Sequence, residues 1–402
     1  MRLFLVTLSL IMLIVKVVKL YLNKKQRDKG LSEELKGFYT KFQYNKWIRY
    51  ENVTDKFAVI KYIVHFMIDC LLILSPFYSF LYSLFSEDVL LSSLGMICTM
   101  YVFESILGMF EDYFRIFKIE EKFGMNKTTF KTFIVDTVKE FIIDIVMIVL
   151  VILFVHYFYQ WFSFYGFIVL FVFFGCIIAV IQKNSLWILK IYNQFTPLED
   201  NDFKRRITDL VSNQGFKLKG IYVMDASKRT TRANAFCLGD KEKEICIDDN
   251  MFTQYSDDEI LAVFSHELGH AVYNHSQKLK LMNYFKMIMF FILFVIIVSD
   301  PSLYYDLGIH QLNYYMIMVL VSHFIEPLMF LLEIPASQLS RKCEYEADEF
   351  AVEQGYGRQL KDILMKLTKN SLSDVLPHPL VVKLTYSHPS LMQRVKNIEK
   401  HM

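Results

Sequence analysis

Residues 256–270, with the sequence SDDEILAVFSHELGH, are the stretch around which the rest of the chain is arranged. Ser256 followed by an acidic turn is typical of a helix start, and the apolar run 260–264 indicates that one side of the helix is buried. His266 and His270 are four residues apart, so both imidazoles project from the same face. The sequence therefore predicts a buried helix that directs two histidines at one point.

The spacing of these histidines is typical of a zinc site with a glutamate as general base. Glu267 lies beside the metal position, where it can take a proton from the attacking water. Gly269 leaves room for another element to pack closely against the helix. The alternative is an ordinary amphipathic helix with two histidines on its polar face.

A third zinc ligand is expected, because catalytic zinc sites have three protein ligands and an open fourth position. Glu344 and Asp348, in a stretch of helical composition at 340–348, are also four residues apart and share a face. One carboxylate can bind the metal while the other accepts a hydrogen bond from a ligand histidine, and Glu346 points elsewhere. Spacing leaves open which carboxylate binds, and a solvated acidic helix is the alternative.

His388 is a candidate for stabilising a developing negative charge. Pro389 favours an extended conformation for His388, which places the histidine on a loop that can reach into a site. An imidazole there can stabilise the oxyanion of a tetrahedral intermediate. The alternative is a surface histidine without a role.

Composition places the chain in a membrane. Of its 402 residues 54% are hydrophobic, and charged residues fall in blocks between apolar runs. A helix needs roughly 20 apolar residues to cross a bilayer. Seven stretches approach that length, at about 3–21, 57–85, 89–110, 141–158, 162–182, 284–298 and 312–334. The net charge of +2 argues against nucleic-acid binding, and the six scattered cysteines form no disulfide framework.

Loop charges predict the orientation of these spans. Lysine and arginine cluster at 24–56, 115–131 and 183–281, whereas the loops at 86–88, 159–161 and 299–311 have none. Because positive loops stay in the cytosol, the pattern predicts an outside N-terminus and a cytosolic C-terminus. Asp69, Asp144 and His323 fall within spans, which indicates an internal aqueous space.

The predicted organisation has four segments. Residues 1–192 hold five spans and their loops, and residues 193–281 form a cytosolic segment with the histidine helix. Residues 282–339 hold two further spans, and residues 340–402 complete the cytosolic domain. Strands are predicted at 218–224, 233–237 and 244–248, the last two joined as a hairpin by a turn at 239–241. The predicted fold class is therefore a mainly α-helical polytopic membrane protein with a cytosolic α+β domain.

Several segments together resemble the type I CAAX prenyl endopeptidases, multi-span zinc proteases of the endoplasmic reticulum and inner nuclear membrane. These segments are 119–126, 195–198, 227–229, 234–236, 266–270, 344–348 and 386–389. Their order and spacing agree with the family across most of the chain. The match is more specific than the zinc motif alone.

The resemblance implies seven transmembrane helices that enclose a chamber, closed on the cytosolic side by a gluzincin-like metalloprotease domain. It also implies one Zn²⁺ bound by His266, His270 and Glu344, with catalysis by Glu267 and His388. The implied supporting residues are Asp348 and Arg394. Substrate binding is implied along an edge strand at Asn234, Ala235 and Phe236. An extended peptide adding to such an edge by backbone pairing is physically reasonable. Family members release the last three residues of prenylated CAAX proteins, and some cut again upstream.

Two departures from the family concern residues near the centre. Ala271 stands where family members carry tryptophan, and Cys343 precedes the implied ligand. Three hypotheses remain: a prenyl-directed endopeptidase; a membrane quality-control protease acting on misfolded or translocon-stalled proteins; and a non-catalytic membrane chamber. The expected partners are a prenylated substrate and the lipid bilayer, and the sequence does not indicate an oligomeric state.

Overall fold

The computed structural model describes residues 1–31, 35, 38–183, 185–239 and 242–402, and the chain in it is mainly helical. The helices before residue 193 are α1 (Arg2–Arg27), α2 (Lys41–Leu74), α3 (Phe77–Ser83), α4 (Val89–Phe114), α5 (Phe130–Phe162), α6 (Phe164–Lys183) and α7 (Ser185–Tyr192). The strands are β1 (Phe195–Pro197), β2 (Lys217–Met224), β3 (Ala235–Leu238) and β4 (Glu242–Asp248). The later helices are α8 (Asp202–Asn213), α9 (Asp249–Gln254), α10 (Asp257–Val272), α11 (His275–Ser299), α12 (Tyr314–Glu353), α13 (Gly357–Asn370), α14 (Pro379–Thr385) and α15 (Leu391–His401).

The long apolar helices confirm the predicted class of polytopic membrane protein. Within the described residues, 6 helices are long and apolar enough to cross a bilayer, namely α1, α2, α4 with the turns that follow it, α5, α11 and α12. The apolar stretch Tyr165–Ile181 of α6 is shorter. The predicted count of seven spans is therefore not confirmed.

The second predicted span, at 57–85, is not one helix. Helix α2 begins at Lys41, where Thr40 and Gln43 form a capping box, and it ends at Leu74. Ser75 is extended because Pro76 follows it, and α3 starts only at Phe77. The apolar composition is continuous across this break, which explains why the prediction missed it.

Helix α12 joins the predicted last span to the predicted acidic helix. It runs for 40 residues and contains Pro327 and Pro335. It packs against α1, α4 and α11 in the bundle and against α10 and α15 further along. The predicted boundary between 339 and 340 falls inside this helix, and the boundary between 281 and 282 falls inside α11. Residues 340–353 consequently continue the last helix of the membrane bundle.

The small sheet supports α10. It has 4 strands in the order β1-β2-β4-β3, with β2 and β4 parallel and the outer pairs antiparallel. Strands β2, β3 and β4 lie where the sequence predicts them, whereas β1 was not predicted. Asp240 and Lys241, in the predicted hairpin turn, lie outside the described residues. Strand β3 is at the edge of the sheet, and α10 packs against it.

Helix α10 is fixed by its start and by its buried face. Ser256 and Glu259 form a capping box, in which each side chain accepts a hydrogen bond from the other residue's backbone N–H. Ile260 and Leu261 are fully buried in a core shared with β4, α12 and α13. Near the other end, an added Cβ at Gly269 would lie 3.1 Å from Ala347 Cα. Glycine is therefore what allows α10 and α12 to approach so closely.

A second core ties the N-terminal helices to the C-terminal ones. Trp47 of α2 is fully buried in a cluster with Phe123, Val375 and Val395. Burial of apolar surface stabilises by about 25 cal/mol per Å², so this cluster helps to hold the two parts of the chain together. The membrane bundle and the α+β part are thus packed together rather than tethered.

Replacing Gly269 with valine is expected to destabilise the fold. The new side chain would be forced against Phe350 Cβ, 3.0 Å from the position of its Cβ, as well as against Ala347. Overpacking of this kind costs about 1–3 kcal/mol and should lower the thermal unfolding midpoint of the protein in detergent. Gly108→Val in α4 is the matched control, because a Cβ there meets nothing within 4 Å. Equal midpoints for the two variants would contradict the close-packing argument.

Candidate functional site

Two imidazoles and one carboxylate converge where α10 meets α12. His266 Nε2 lies 3.2 Å from His270 Nε2. Glu344 places Oε2 3.5 Å from the first of these nitrogens and Oε1 3.4 Å from the second. Ligand atoms about 2.0 Å from a tetrahedral ion are separated by about 3.3 Å. The observed spacing therefore suits a tetrahedral zinc ion.

The surroundings of Glu344 support the same interpretation. The residue is buried, and among the described residues its Oε2 atom accepts no hydrogen bond, although Arg394 Nη1 lies 3.5 Å from it. A buried carboxylate oxygen without a donor costs free energy unless it has another partner, such as a cation. Two nitrogens and a carboxylate are a common ligand set of catalytic zinc. We conclude that the residues present fit Zn²⁺.

Asp348 occupies a different place from Glu344, although the two share a helix face. It is fully buried and lies 3.0 Å from His266 Nδ1, the ring nitrogen that faces away from the convergence point. Arg394 of α15 donates to both carboxylate oxygens of Asp348, at 2.9 and 2.6 Å. Spacing left open which of the two carboxylates binds the metal. The geometry favours Glu344 as the ligand and Asp348 as the residue that orients His266.

The electrostatics of His266 follow from these neighbours. Burial and the charge of Arg394 lower the pKa of His266, but the nearby carboxylates of Asp348 and Glu344 outweigh both and raise that pKa to about 9. A neutral imidazole is needed to bind a metal, so binding would release this proton. The carboxylates of Asp348 and Glu344 therefore favour a positive charge close to His266, where a metal cation would bind.

Glu267 lies near the edge strand β3, against which α10 packs. Glu267 is half-buried and close to β3. In that strand, burial raises the pKa of the Cys237 thiol to about 12, and the negative charge of Glu267 contributes more weakly in the same direction. Ala235 and Phe236 are in β3, while Asn234 precedes the strand and accepts a hydrogen bond from Asp248 N. The structure thus brings the predicted base and the predicted substrate strand together.

His388 lies in the loop between α14 and α15. Its Nε2 atom is 3.3 Å from Glu344 Oε1, and its side chain is 63% exposed. Ser387 Oγ contacts the other ring nitrogen at 2.9 Å. The histidine is therefore at the open side of the centre, where a substrate would enter.

His275 is a neighbour of the centre to which sequence reasoning gave no role. Its Nδ1 atom lies 2.9 Å from His270 Nδ1, and its Nε2 atom lies 2.8 Å from Glu346 Oε2. Asn274, in the left-handed conformation with φ of 54°, precedes α11 and turns the chain between α10 and α11, so that His275 faces back toward His270. Residues five apart on a single α-helix do not share a face, so the spacing of His270 and His275 did not predict their contact. The contact depends on the turn at Asn274.

A helix carrying two histidines and a glutamate, facing a carboxylate from a second helix within an apolar bundle, defines a membrane metallopeptidase. The model of Peptidase family M48 matches residues 197–402, and the model described as CAAX prenyl protease N-terminal, five membrane helices, matches residues 20–187. The chain belongs to peptidase family M48.

Curated relatives share most of the chain. It is 29% identical over 303 residues to "Probable CAAX prenyl protease 1" of Schizosaccharomyces pombe, covering 74% of this chain and 64% of that protein. It is 28% identical over 372 residues to "CAAX prenyl protease 1" of Saccharomyces cerevisiae, covering 87% of this chain and 81% of that protein. The chain thus spans just under two thirds of the fission yeast relative.

A solved structure shows the same fold. The crystal structure of S. mikatae Ste24p superposes with a TM-score of 0.91, covering 99% of each chain at 24% identity. The arrangement of bundle, sheet and C-terminal helices is therefore shared with that protein.

Asp348→Asn is expected to weaken zinc binding. Asparagine would keep the shape but remove the carboxylate charge that pairs with Arg394 Nη2 and faces His266 Nδ1. Loss of such a supporting group typically costs about 10- to 100-fold in metal affinity. Affinity would be measured by competition with a chromophoric chelator. Glu349→Gln, at the next position and 38% exposed, is the control and should leave affinity unchanged; equal affinity in both variants would contradict this role.

Proposed function

We propose that this protein is a zinc-dependent endopeptidase that removes the C-terminal three residues of prenylated CAAX proteins. The observation that carries the proposal is the convergence of His266, His270 and Glu344 beside Glu267. The prenylated substrate is suggested by the yeast relatives, whose names are CAAX prenyl proteases. A second, upstream cut would use the same centre and is part of the proposal.

Each residue has a defined task in this reaction. Zn²⁺ held by the two histidines and Glu344 would act as a Lewis acid, lowering the pKa of water to about 7 and polarising the scissile carbonyl. Glu267 takes one proton from the attacking water and passes it to the leaving amine nitrogen. Asp348 and Arg394 keep His266 in the orientation that exposes Nε2.

The substrate is held as an extra strand on the free edge of β3. Asp248 N donates to Asn234 O, so the backbone groups of Asn234 face β4. Because orientation alternates along a strand, the N–H and C=O of Ala235 face the open edge. Main-chain pairing there would hold an extended peptide next to Glu267 with little dependence on its side chains. His388, exposed at the opening, would stabilise the negative charge that develops on the carbonyl oxygen.

The membrane bundle would enclose an aqueous chamber. A cavity of about 290 Å³ between α1, α2 and α12 is lined by polar residues that include Lys16, Asp69 and Glu326. This polar cavity supports the aqueous chamber that we include in the proposal. The distribution of basic loops supports a lumenal N-terminus and a cytosolic catalytic domain. The membrane of the endoplasmic reticulum, with the inner nuclear membrane, is the proposed location.

Glu267→Gln is expected to abolish cleavage while zinc stays bound. The amide keeps the size of the side chain but cannot accept the proton, so turnover should fall by about 10²- to 10⁴-fold. Zinc content by atomic absorption and turnover of a farnesylated peptide would be measured on the same preparation. Asp257→Asn, exposed in the first turn of the same helix, is the control. Undiminished cleavage by the Glu267 variant would point to a different base.

Prenylation is expected to raise the efficiency of cleavage. A peptide ending in a farnesylated CAAX sequence should have a kcat/KM at least about tenfold above the same peptide without lipid, because burial contributes about 0.8 kcal/mol per CH₂. The Glu267→Gln variant provides the background rate. Equal rates for both peptides would favour the quality-control protease, and no zinc-dependent cleavage of either would favour a non-catalytic chamber.

A further inference from the structure

A second set of metal-ligating side chains lies beside the first. His275 at the start of α11 and Cys343 and Glu346 of α12 each offer a ligand atom, and these three atoms lie within 4.8 Å of one another. His275 and Cys343 are almost completely buried. Cys343 and Glu346 are three residues apart and share a face of α12, which differs from the face that carries Glu344. The set is therefore built from two packed helices, not from a mobile surface loop.

We propose that His275, Cys343 and Glu346 form a second metal site that takes Zn²⁺. Thiolate, imidazole and carboxylate are all zinc ligands, and the thiolate selects zinc over magnesium or calcium. A site with three protein ligands has a fourth position for water. Zinc ligands are about 3.3 Å apart or more, so the 2.8 Å hydrogen bond between His275 Nε2 and Glu346 Oε2 must open slightly.

The site has a route to solvent on its carboxylate side. Glu346 is 28% exposed and also lies 3.4 Å from Lys278 Nζ and 3.7 Å from Lys342 Nζ. Both lysine side chains are themselves largely exposed, so they can turn into water when a cation arrives. The thiol of Cys343 forms the inner wall. An ion would thus enter past Glu346 and be held by the buried sulfur and ring nitrogen.

The second site is coupled to the first through one hydrogen atom. When His270 uses Nε2 as a ligand, its Nδ1 carries hydrogen and donates to His275 Nδ1, 2.9 Å away. If His275 uses Nε2 to bind an ion, its own Nδ1 carries hydrogen instead. Two N–H groups would then face each other, and the rings must separate. Filling the second site therefore weakens the first, a consequence that depends on the proposed role of His270.

The coupling predicts inhibition by excess zinc. Coupling between linked sites typically changes affinity by about 5- to 150-fold, so zinc added beyond one equivalent should reduce turnover. The protease would be active with the first site filled and repressed with both filled. This makes the enzyme responsive to the local zinc concentration.

Cobalt substitution tests the site directly and without reference to catalysis. The full-length protein in detergent would be stripped of metal and titrated with Co²⁺, which shows a sulfur-to-cobalt charge-transfer band in the near ultraviolet only when a thiolate binds. We expect this band with the second equivalent of Co²⁺, its loss in Cys343→Ser, and its retention in Cys246→Ser, a control at another buried cysteine. Absence of the band in the unmodified protein, or its persistence in Cys343→Ser, would overturn the proposal.

Further variants separate the second site from the proteolytic function. Cys343→Ala provides the same spectroscopic test if the serine variant does not fold, as judged by its thermal unfolding. Glu267→Gln should keep the band even though it cannot cleave, so loss of proteolysis alone does not affect the result. In the active protein, excess Zn²⁺ should lower turnover by at least about fivefold relative to turnover without it. This inhibition should disappear in Cys343→Ser. An unchanged ratio in the unmodified protein would overturn the coupling.

Discussion

The close contact of α10 with α12 at Gly269 is the constraint on which the rest of the structure depends. Helix α10 carries both histidines and α12 carries Glu344, and the helices can bring these side chains together only because no Cβ separates them at Gly269. Helix α12 is also a wall of the membrane bundle. A displacement of α12 in the membrane therefore moves Glu344 relative to the histidines, which links the state of the bundle to the geometry of the centre.

Charge balance explains why so many ionisable groups are buried at this junction. Glu267, Glu344 and Asp348 contribute three negative charges, and Arg394 together with protonated His266 contributes two positive ones. Exchange of the His266 proton for Zn²⁺ adds one net positive charge and makes the set neutral. Since unpaired buried charges are costly, the carboxylates are best satisfied with the metal present. The charges of the centre are thus suited to a divalent cation.

The parts predicted from the sequence are those that depend on local pattern. The helix start at Ser256, the histidine spacing and the presence of long apolar helices are each set by local sequence, and they were predicted. The roles of Glu344 and Asp348 could not be distinguished from the sequence. Both lie on one face of the helix, and their spacing does not show which carboxylate reaches the metal position. The break at Pro76 was hidden by apolar composition on both sides, and His275 was missed because its position depends on the left-handed turn at Asn274. In each case the missing information was tertiary packing or a single backbone conformation.

The length of α12 also bears on how the proposed lipid-bearing substrate would reach a site outside the hydrocarbon layer. Glu344 is ten residues beyond Ile334, the predicted end of the apolar stretch, and at 1.5 Å per residue this is about 15 Å along the helix. An extended peptide covers that distance in about four or five residues. A lipid on the cysteine next to the scissile bond must therefore extend toward the bilayer while the peptide remains on β3. Chemistry and lipid recognition then lie on different parts of one rigid helix, so the metal site can be common to the family while the bundle sets the choice of substrate.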